Sequence, residues 1–124
     1  MKLKIHIQRP VVDVFAFAIN PHNTPKWIQS IAMEETNEWP VKIGSIYRNQ
    51  KKTGEWAEYT VTAFEENKKF VLTKNHSTFH VSYTFRSLSS DLTELEYELP
   101  DNGELKESFI QELLTNLKKV MEFH

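Results

Sequence analysis

The chain has 124 residues, 40% of them hydrophobic and 26% charged, which is typical of one soluble globular domain. Its 15 basic and 17 acidic residues give a formal net charge of −2, which argues against a nucleic-acid-binding surface. The absence of cysteine excludes disulfides and thiolate chemistry, and no apolar run approaches the roughly 20 residues of a membrane span. The alternating N-terminal residues do not resemble a signal peptide, so a cytoplasmic location is expected.

The first quarter of the chain predicts one strand and two short helices. Apolar and polar residues alternate over residues 2–8, the period of a half-buried strand. Pro10 suits the first position of a helix, which the spacing of apolar residues extends to about Ile19. A second short helix is predicted with Thr24 as its cap and Pro25 as its first residue.

Strand signals, separated by turn residues, dominate the chain from Ile31 to Leu99. The clearest alternation places Phe79, Val81, Tyr83 and Phe85 on one face of a strand. Similar patterns put Tyr59, Val61 and Ala63 on one face of an earlier strand, and Leu95, Tyr97 and Leu99 on one face of the last. The predicted strands cover residues 3–7, 43–51, 56–64, 70–76, 79–85 and 93–99.

The C-terminal segment has the period of an amphipathic helix. After a turn at Pro100–Gly103, apolar residues recur four positions apart from Glu104 to near the end of the chain, at Leu105, Phe109, Leu113 and Leu117. A helix of about 20 residues would be about 30 Å long, enough to cross a small sheet. The order of elements predicts an α+β domain in which a meandering antiparallel sheet packs one face on this helix.

Several short motifs resemble the START-like superfamily, also called SRPBCC, helix-grip or Bet v 1-like, and within it the polyketide cyclase/dehydrase and lipid-transport group. The resemblance covers essentially the whole chain and implies a single START-like domain over residues 1–124. It implies a curved antiparallel sheet of six to seven strands wrapped around a long C-terminal helix, with two short helices after the first strand. The motifs are Pro10–Phe15, Asn20–Trp27, Gly44–Ser45, Val61–Glu65, Thr93–Leu95 and Leu113–Lys118.

This fold leaves a cavity between sheet and helix, lined by apolar and aromatic side chains with a few polar groups. The compact connection at Pro100–Gly103 departs from relatives with longer segments there and favours a smaller or more closed cavity. Tyr59, Tyr83 and Tyr97 need hydrogen-bond partners if buried, which a ligand, the backbone or water could supply. The predicted lining residues are Trp27, Tyr59, Val61, Phe79, Val81, Tyr83, Leu95, Tyr97, Phe109, Leu113 and Leu117. Trp27 either guards the cavity mouth or packs as core.

No catalytic constellation stands out in the sequence. A Gly-x-Ser-x-Gly elbow is absent, and His76 and His80 are expected to flank a hairpin turn in solvent, so neither a metal site nor a cofactor is predicted. No acidic residue falls cleanly on the predicted inner face. Paired carboxylates occur at Glu34–Glu35 and Glu65–Glu66, and Glu94, Glu96 and Glu98 are predicted to form a solvated strand face. Arg48 or His76 would reach inward in one strand register and outward in the other.

Three functions therefore stay open. The first is a binding protein for a small hydrophobic or aromatic molecule, lipid or polyketide-like, and this is the favoured hypothesis. The second is an enzyme of cyclase or dehydratase type that transfers protons through cavity residues. The third is a ligand-free interaction domain like the co-chaperone members of the superfamily. Either a monomer or a homodimer fits the sequence.

Overall fold

A computed structural model describes residues 1–101 and 105–123. These residues form seven strands and three α-helices, with a 3-10 turn at Pro21–Asn23. In chain order they are β1 (Lys2–Ile7), α1 (Val11–Ile19), α2 (Thr24–Trp27), β2 (Ile31–Thr36), β3 (Ile46–Lys51), β4 (Trp56–Glu65), β5 (Lys69–Lys74), β6 (His80–Ser89), β7 (Leu92–Glu98) and α3 (Glu107–Glu122).

The strands form one antiparallel sheet in the order β1-β7-β6-β5-β4-β3-β2. Strands β2 to β7 follow one another as a meander, and β1 joins the end of the sheet by pairing with β7. The sheet curls, and α3 packs on its concave face. The predicted α+β helix-grip architecture is therefore confirmed.

The concave face carries the apolar side chains that the alternation predicts. In β6, Val81, Tyr83 and Phe85 are buried. Leu95 and Tyr97 of β7 are buried next to them. The facing side of α3 contributes Ile110, Leu113, Leu114 and Leu117 to the same core. Hydrophobic burial against α3 thus covers the sheet face that the pattern predicts to be inward.

Helix α3 has 16 residues and is about 24 Å long. It begins at Glu107, after the cap residue Lys106, so the prediction that Leu105 belongs to the helix is wrong. The predicted turn residues Asn102 and Gly103 and the predicted helix start at Glu104 lie outside the described residues. No helix in residues 1–101 and 105–123 is both long and apolar enough to cross a membrane.

A β-bulge in β4 changes which side chains face inward. The pairing with β5 shifts between Val61 and Ala63, so that Phe64 pairs with Phe70. Phe64 then turns inward, and its ring lies 6.2 Å from that of Phe70 and 5.7 Å from that of Phe15. The prediction that Ala63 shares the inner face with Val61 is wrong, because an extra residue in one strand reverses the alternation beyond it.

Some strand limits also differ from the predicted ones. The strand predicted from Ile43 begins at Ile46, because Gly44 adopts a φ of 95° and the N–H of Ser45 donates to the carbonyl of Lys42 in a turn. Strand β6 begins at His80, one residue later than predicted, and continues past Phe85 to Ser89. His76 lies in the hairpin turn after β5, with a φ of 61°.

Candidate functional site

A pocket of about 500 Å³ lies between the concave face of the sheet and α3. This volume is within the range of small-molecule sites, which runs from about 300 to 1,000 Å³. Apolar side chains form much of its wall, among them Ile28, Leu72 and Val81, with Phe109 and Leu113 from α3. The curvature of the sheet creates this space, because the helix cannot touch every strand of a curled surface.

Of the residues predicted to line the cavity, seven line this pocket: Tyr59, Phe79, Val81, Tyr83, Tyr97, Phe109 and Leu113. The other four lie in the closed core beside it and do not line it: Trp27, Val61, Leu95 and Leu117. Each of these four is at most 1% exposed. They support the wall and are inaccessible to a guest.

Trp27 packs as core and does not guard the mouth. Its ring meets Tyr83 edge to face, with 6.3 Å between the ring centroids. The indole Nε1 is buried without a hydrogen-bond partner in the described part of the chain. A buried N–H without a partner is unfavourable, so the burial of the Trp27 indole lowers the stability gained from its packing.

Glu34 is the acidic group of the pocket. It lies on β2, and Asn49 lies opposite it on β3. The Thr24 hydroxyl donates to Oε1 of Glu34 at 2.6 Å, and the Asn49 side-chain amide donates to Oε2 at 3.3 Å. Thr24 and Asn49 are themselves 3% and 8% exposed, so both donors are held in place by packing.

Burial raises the pKa of Glu34 from 4.5 to about 7. The hydrogen bonds from Thr24 and Asn49 act in the opposite direction, because they favour the ionised carboxylate, but they do not cancel the effect of burial. Glu34 therefore exists as a mixture of acid and carboxylate near neutral pH. Such a group can accept or donate a proton under physiological conditions.

The expectation that no acidic residue faces the cavity is wrong, and a β-bulge is the reason. Strict alternation from Ile31 would turn Met33 inward and Glu34 outward. The pairing of β2 with β3 shifts between Ile31 and Met33, which reverses the phase. Met33 is consequently 42% exposed, while Glu34 points into the pocket and Glu35 points outward.

A sequence signal for this site existed in β3. Asn49 stands two residues after Tyr47, on the same face of the strand, and both are buried. A polar side chain at an inward position requires a partner. The role predicted for Thr24 also changes: Asn23 occupies the cap position of α2, and the Thr24 hydroxyl bonds to Glu34 instead.

The tyrosines of the site all remain protonated at neutral pH. Burial raises the pKa of Tyr59, Tyr83 and Tyr97 above the usual value of 10. The charge of Glu34 adds to this effect at Tyr59 and Tyr83. Tyr83 and Tyr97 are hydrogen-bonded to each other, with the Tyr83 hydroxyl as the donor. The protons of the Tyr59 and Tyr97 hydroxyls are therefore the ones available for donation inside the pocket.

Tyr47 has a structural role. Its hydroxyl donates to the carbonyl oxygen of Ile19 at 2.6 Å and ties β3 to the end of α1. Burial, and then the charge of Glu34, raises its pKa far above the usual value. The Tyr47 hydroxyl is therefore used within the core, and Tyr47 does not line the pocket.

Arg48 and His76 both lie outside the pocket. Arg48 is on the convex face, where it pairs with Glu35 at 3.3 Å and Glu58 at 3.7 Å. Its guanidinium carbon lies 4.3 Å from the ring centre of Trp56, which is 43% exposed. His76 is exposed in its turn. Within residues 1–101 and 105–123, no three His, Asp or Glu side chains come together as a metal site.

Several solved structures share this fold at low sequence identity. The di-domain ARO/CYC StfQ of the steffimycin biosynthetic pathway matches with a TM-score of 0.78 and 16% identity, over 98% of this chain and 44% of that one. A START superfamily protein from Mycobacterium smegmatis matches with a TM-score of 0.72 and 15% identity, over 98% of this chain and 93% of that one. The Aha1 dimer from Colwellia psychrerythraea matches with a TM-score of 0.70 and 15% identity, over 99% of this chain and 96% of that one.

No family model and no curated protein matches the sequence. The structural likenesses establish the fold, because unrelated functions share one architecture at such identities. The chain therefore has the START-like helix-grip fold, also called SRPBCC or Bet v 1-like.

Proposed function

We propose that the protein binds a small hydrophobic or aromatic molecule, lipid or polyketide-like, in the pocket between the sheet and α3. The observation that carries this proposal is a pocket of about 500 Å³ with mainly apolar walls, whose lining also includes one carboxyl group, three phenol groups and two lysines. An apolar wall supplies affinity by burial, and the few polar groups fix the orientation of a guest. StfQ, an ARO/CYC protein of the steffimycin biosynthetic pathway, shares this fold, and so does a START superfamily protein.

The test uses a neutral apolar dye, N-phenyl-1-naphthylamine, whose fluorescence rises in apolar surroundings. Wild type should bind it saturably. In the variant Val81→Trp, the larger side chain occupies part of the pocket. Dye binding should weaken at least about tenfold, since the dye then loses most of its buried surface. Leu88→Trp is the matched control, because Leu88 is 47% exposed and lies outside the pocket. It should bind the dye like wild type.

Thermal melting first establishes that both variants are folded. If Val81→Trp does not fold, Phe109→Trp on the opposite wall gives the same test. Dye binding that is absent in wild type, or unchanged in the folded pocket-filling variants, contradicts the proposal.

A second candidate is an enzyme of cyclase or dehydratase type, and the half-ionised carboxyl of Glu34 favours it. A general base works best with a pKa near the working pH, and the pKa of Glu34 is about 7. The phenol of Tyr59 would donate a hydrogen bond to a carbonyl oxygen that becomes negative during enolisation.

A generic proton-abstraction probe tests this without knowledge of the substrate. In 5-nitrobenzisoxazole, a base removes the ring C–H proton while the N–O bond breaks, giving a coloured cyanophenolate. The rate with wild type should rise with pH through about 7, because only the carboxylate form of Glu34 is a base. Glu34→Gln should abolish the rate and Glu35→Gln should keep it. Equal rates for wild type and Glu34→Gln contradict the role of Glu34.

The third hypothesis, a ligand-free interaction domain, requires no pocket and is supported mainly by likeness to Aha1. The pocket and its polar groups favour a ligand-binding role over it. A cytoplasmic location and a monomeric or homodimeric state remain predictions, and neither affects the tests above.

A further inference from the structure

Among the residues that the structure describes, the Glu34 carboxyl has no cationic partner. In the described ranges, no Lys, Arg or His nitrogen lies within 4 Å of it, and its bonding partners are the neutral groups of Thr24 and Asn49. Glu94, also largely buried, shows the usual arrangement instead, with Lys4 at 3.4 Å and Arg86 at 3.6 Å from its Oε1. Buried charge without a partner is costly, so Glu34 is unusual for this protein.

Within residues 1–101 and 105–123, part of the hydrogen-bonding capacity of Glu34 is unused. An ionised carboxylate has about four acceptor positions, two on each oxygen. Thr24 occupies one on Oε1 and Asn49 occupies one on Oε2. Because Glu34 lines the pocket, the remaining positions are accessible to a guest that donates hydrogen bonds.

The surroundings of Glu34 also favour a positive charge. Tyr59 and Tyr83 line the same pocket and lie within electrostatic reach of the carboxylate. The faces of aromatic rings attract cations, and the attraction is stronger where water is excluded. A carboxylate with free acceptor positions beside aromatic rings is suited to an ammonium group.

We propose that the ligand carries a basic nitrogen whose ammonium group pairs with Glu34, while its apolar part lies between Val81 and Leu113. This inference rests on the proposed binding function and adds the chemical class of the ligand: an apolar or aromatic amine. The pairing would complete the bonding of Glu34 and remove the cost of an isolated buried charge.

Two lysines of the pocket could instead bind a ligand with an acidic head group. Lys51 and Lys74 also line the pocket. The side chain of Lys51 is 44% exposed and pairs with Glu55 at 3.7 Å. Neither ammonium group is within 4 Å of Glu34, so neither neutralises it. A ligand with an acidic head group would bind to these lysines instead, and the test includes this outcome.

The test compares three naphthalene probes that differ only in the head group: 2-naphthylmethylamine, 2-naphthylmethanol and 2-naphthoic acid. Binding is measured by calorimetry at about pH 8, where Glu34 is mostly ionised and the amine is charged. The amine should bind wild type at least about tenfold more tightly than the alcohol. Glu34→Gln should weaken the amine about ten- to hundredfold, the range of a charge-assisted hydrogen bond, and leave the alcohol unchanged.

Glu35→Gln is the matched control, because Glu35 is adjacent but faces the convex side. It should bind all three probes like wild type. An amine that binds no better than the alcohol, or equally well to Glu34→Gln, overturns the inference. Tightest binding of the acid also overturns it and assigns the anchor to the lysines.

A measurement on wild type alone avoids any folding defect of Glu34→Gln. Near pH 7, binding of the amine should release about half a proton from Glu34, seen as a dependence of the binding heat on the buffer. The other titratable groups facing the pocket are Lys51, Lys74 and three tyrosines. Burial raises the pKa of each of these tyrosines further above 10. No proton release overturns the inference. If the neutral dye still binds, only the amine assignment fails; if neither dye nor probes bind, the proposed function fails as well.

Discussion

Replacing Glu34 by Gln should change how the stability of the protein depends on pH. Burial raises the pKa of Glu34 from 4.5 to about 7, so the folded state keeps this proton to a higher pH than the unfolded chain does. Between these two values the folded state binds more protons, and its free energy of unfolding falls as pH rises. The loss is about 1.4 kcal/mol per pH unit, about 3 kcal/mol in all, and is complete above about pH 8.

Urea denaturation across about pH 5 to 8.5 measures this effect. The free energy of unfolding of wild type, minus that of Glu34→Gln, should fall by about 3 kcal/mol over this range. Any difference in stability between the two side chains that does not change with pH cancels in this comparison. Glu35→Gln, on the opposite face, should follow the wild-type profile. Parallel profiles for wild type and Glu34→Gln would refute the reasoning, because they would mean that the carboxyl is already ionised at pH 5 in the folded protein.

Three further substitutions test the packing and the polar groups of the site. Tyr47→Phe should destabilise the protein by about 1–3 kcal/mol in urea denaturation, because the carbonyl of Ile19 loses its buried donor; no change would show that water replaces the hydroxyl. Leu117→Ala, at a fully buried position, should cost about 2–5 kcal/mol, whereas Leu88→Ala at an exposed position should cost under about 1 kcal/mol; equal losses would contradict the assigned core. Tyr83→Phe should weaken binding of 2-naphthylmethanol a few-fold in calorimetry, and unchanged affinity would exclude its hydroxyl as an anchor.

Where a strand is regular, the alternation of apolar and polar residues is enough to predict which side chains face the core. In β6, Val81, Tyr83 and Phe85 alternate with polar residues without interruption. This alternation is enough to predict that they face inward, toward the C-terminal helix α3. The same holds for Leu113 and Leu117, whose spacing defines the buried face of α3. These residues determine the helix-grip architecture, and hydrophobic burial is the dominant force behind it.

The candidate site could not be predicted in the same way, because it depends on two bulges. A bulge inserts one residue and reverses the alternation, and neither Ala32–Met33 in β2 nor Thr62 in β4 carries a turn residue that would reveal it. Glu34 and Phe64 therefore face inward against the simple period. Trp27 was ambiguous for another reason: a four-residue helix is too short for periodicity to fix the direction of its side chains.

Native mass spectrometry of the protein purified from its own host tests the central claim most directly. We expect a complex of defined mass with one small molecule, which is released on denaturation and contains a basic nitrogen. The complex should be absent from Val81→Trp and retained in Leu88→Trp purified in the same way. A wild-type spectrum that contains only the bare polypeptide, or an equal adduct on Val81→Trp, would contradict a ligand in this pocket.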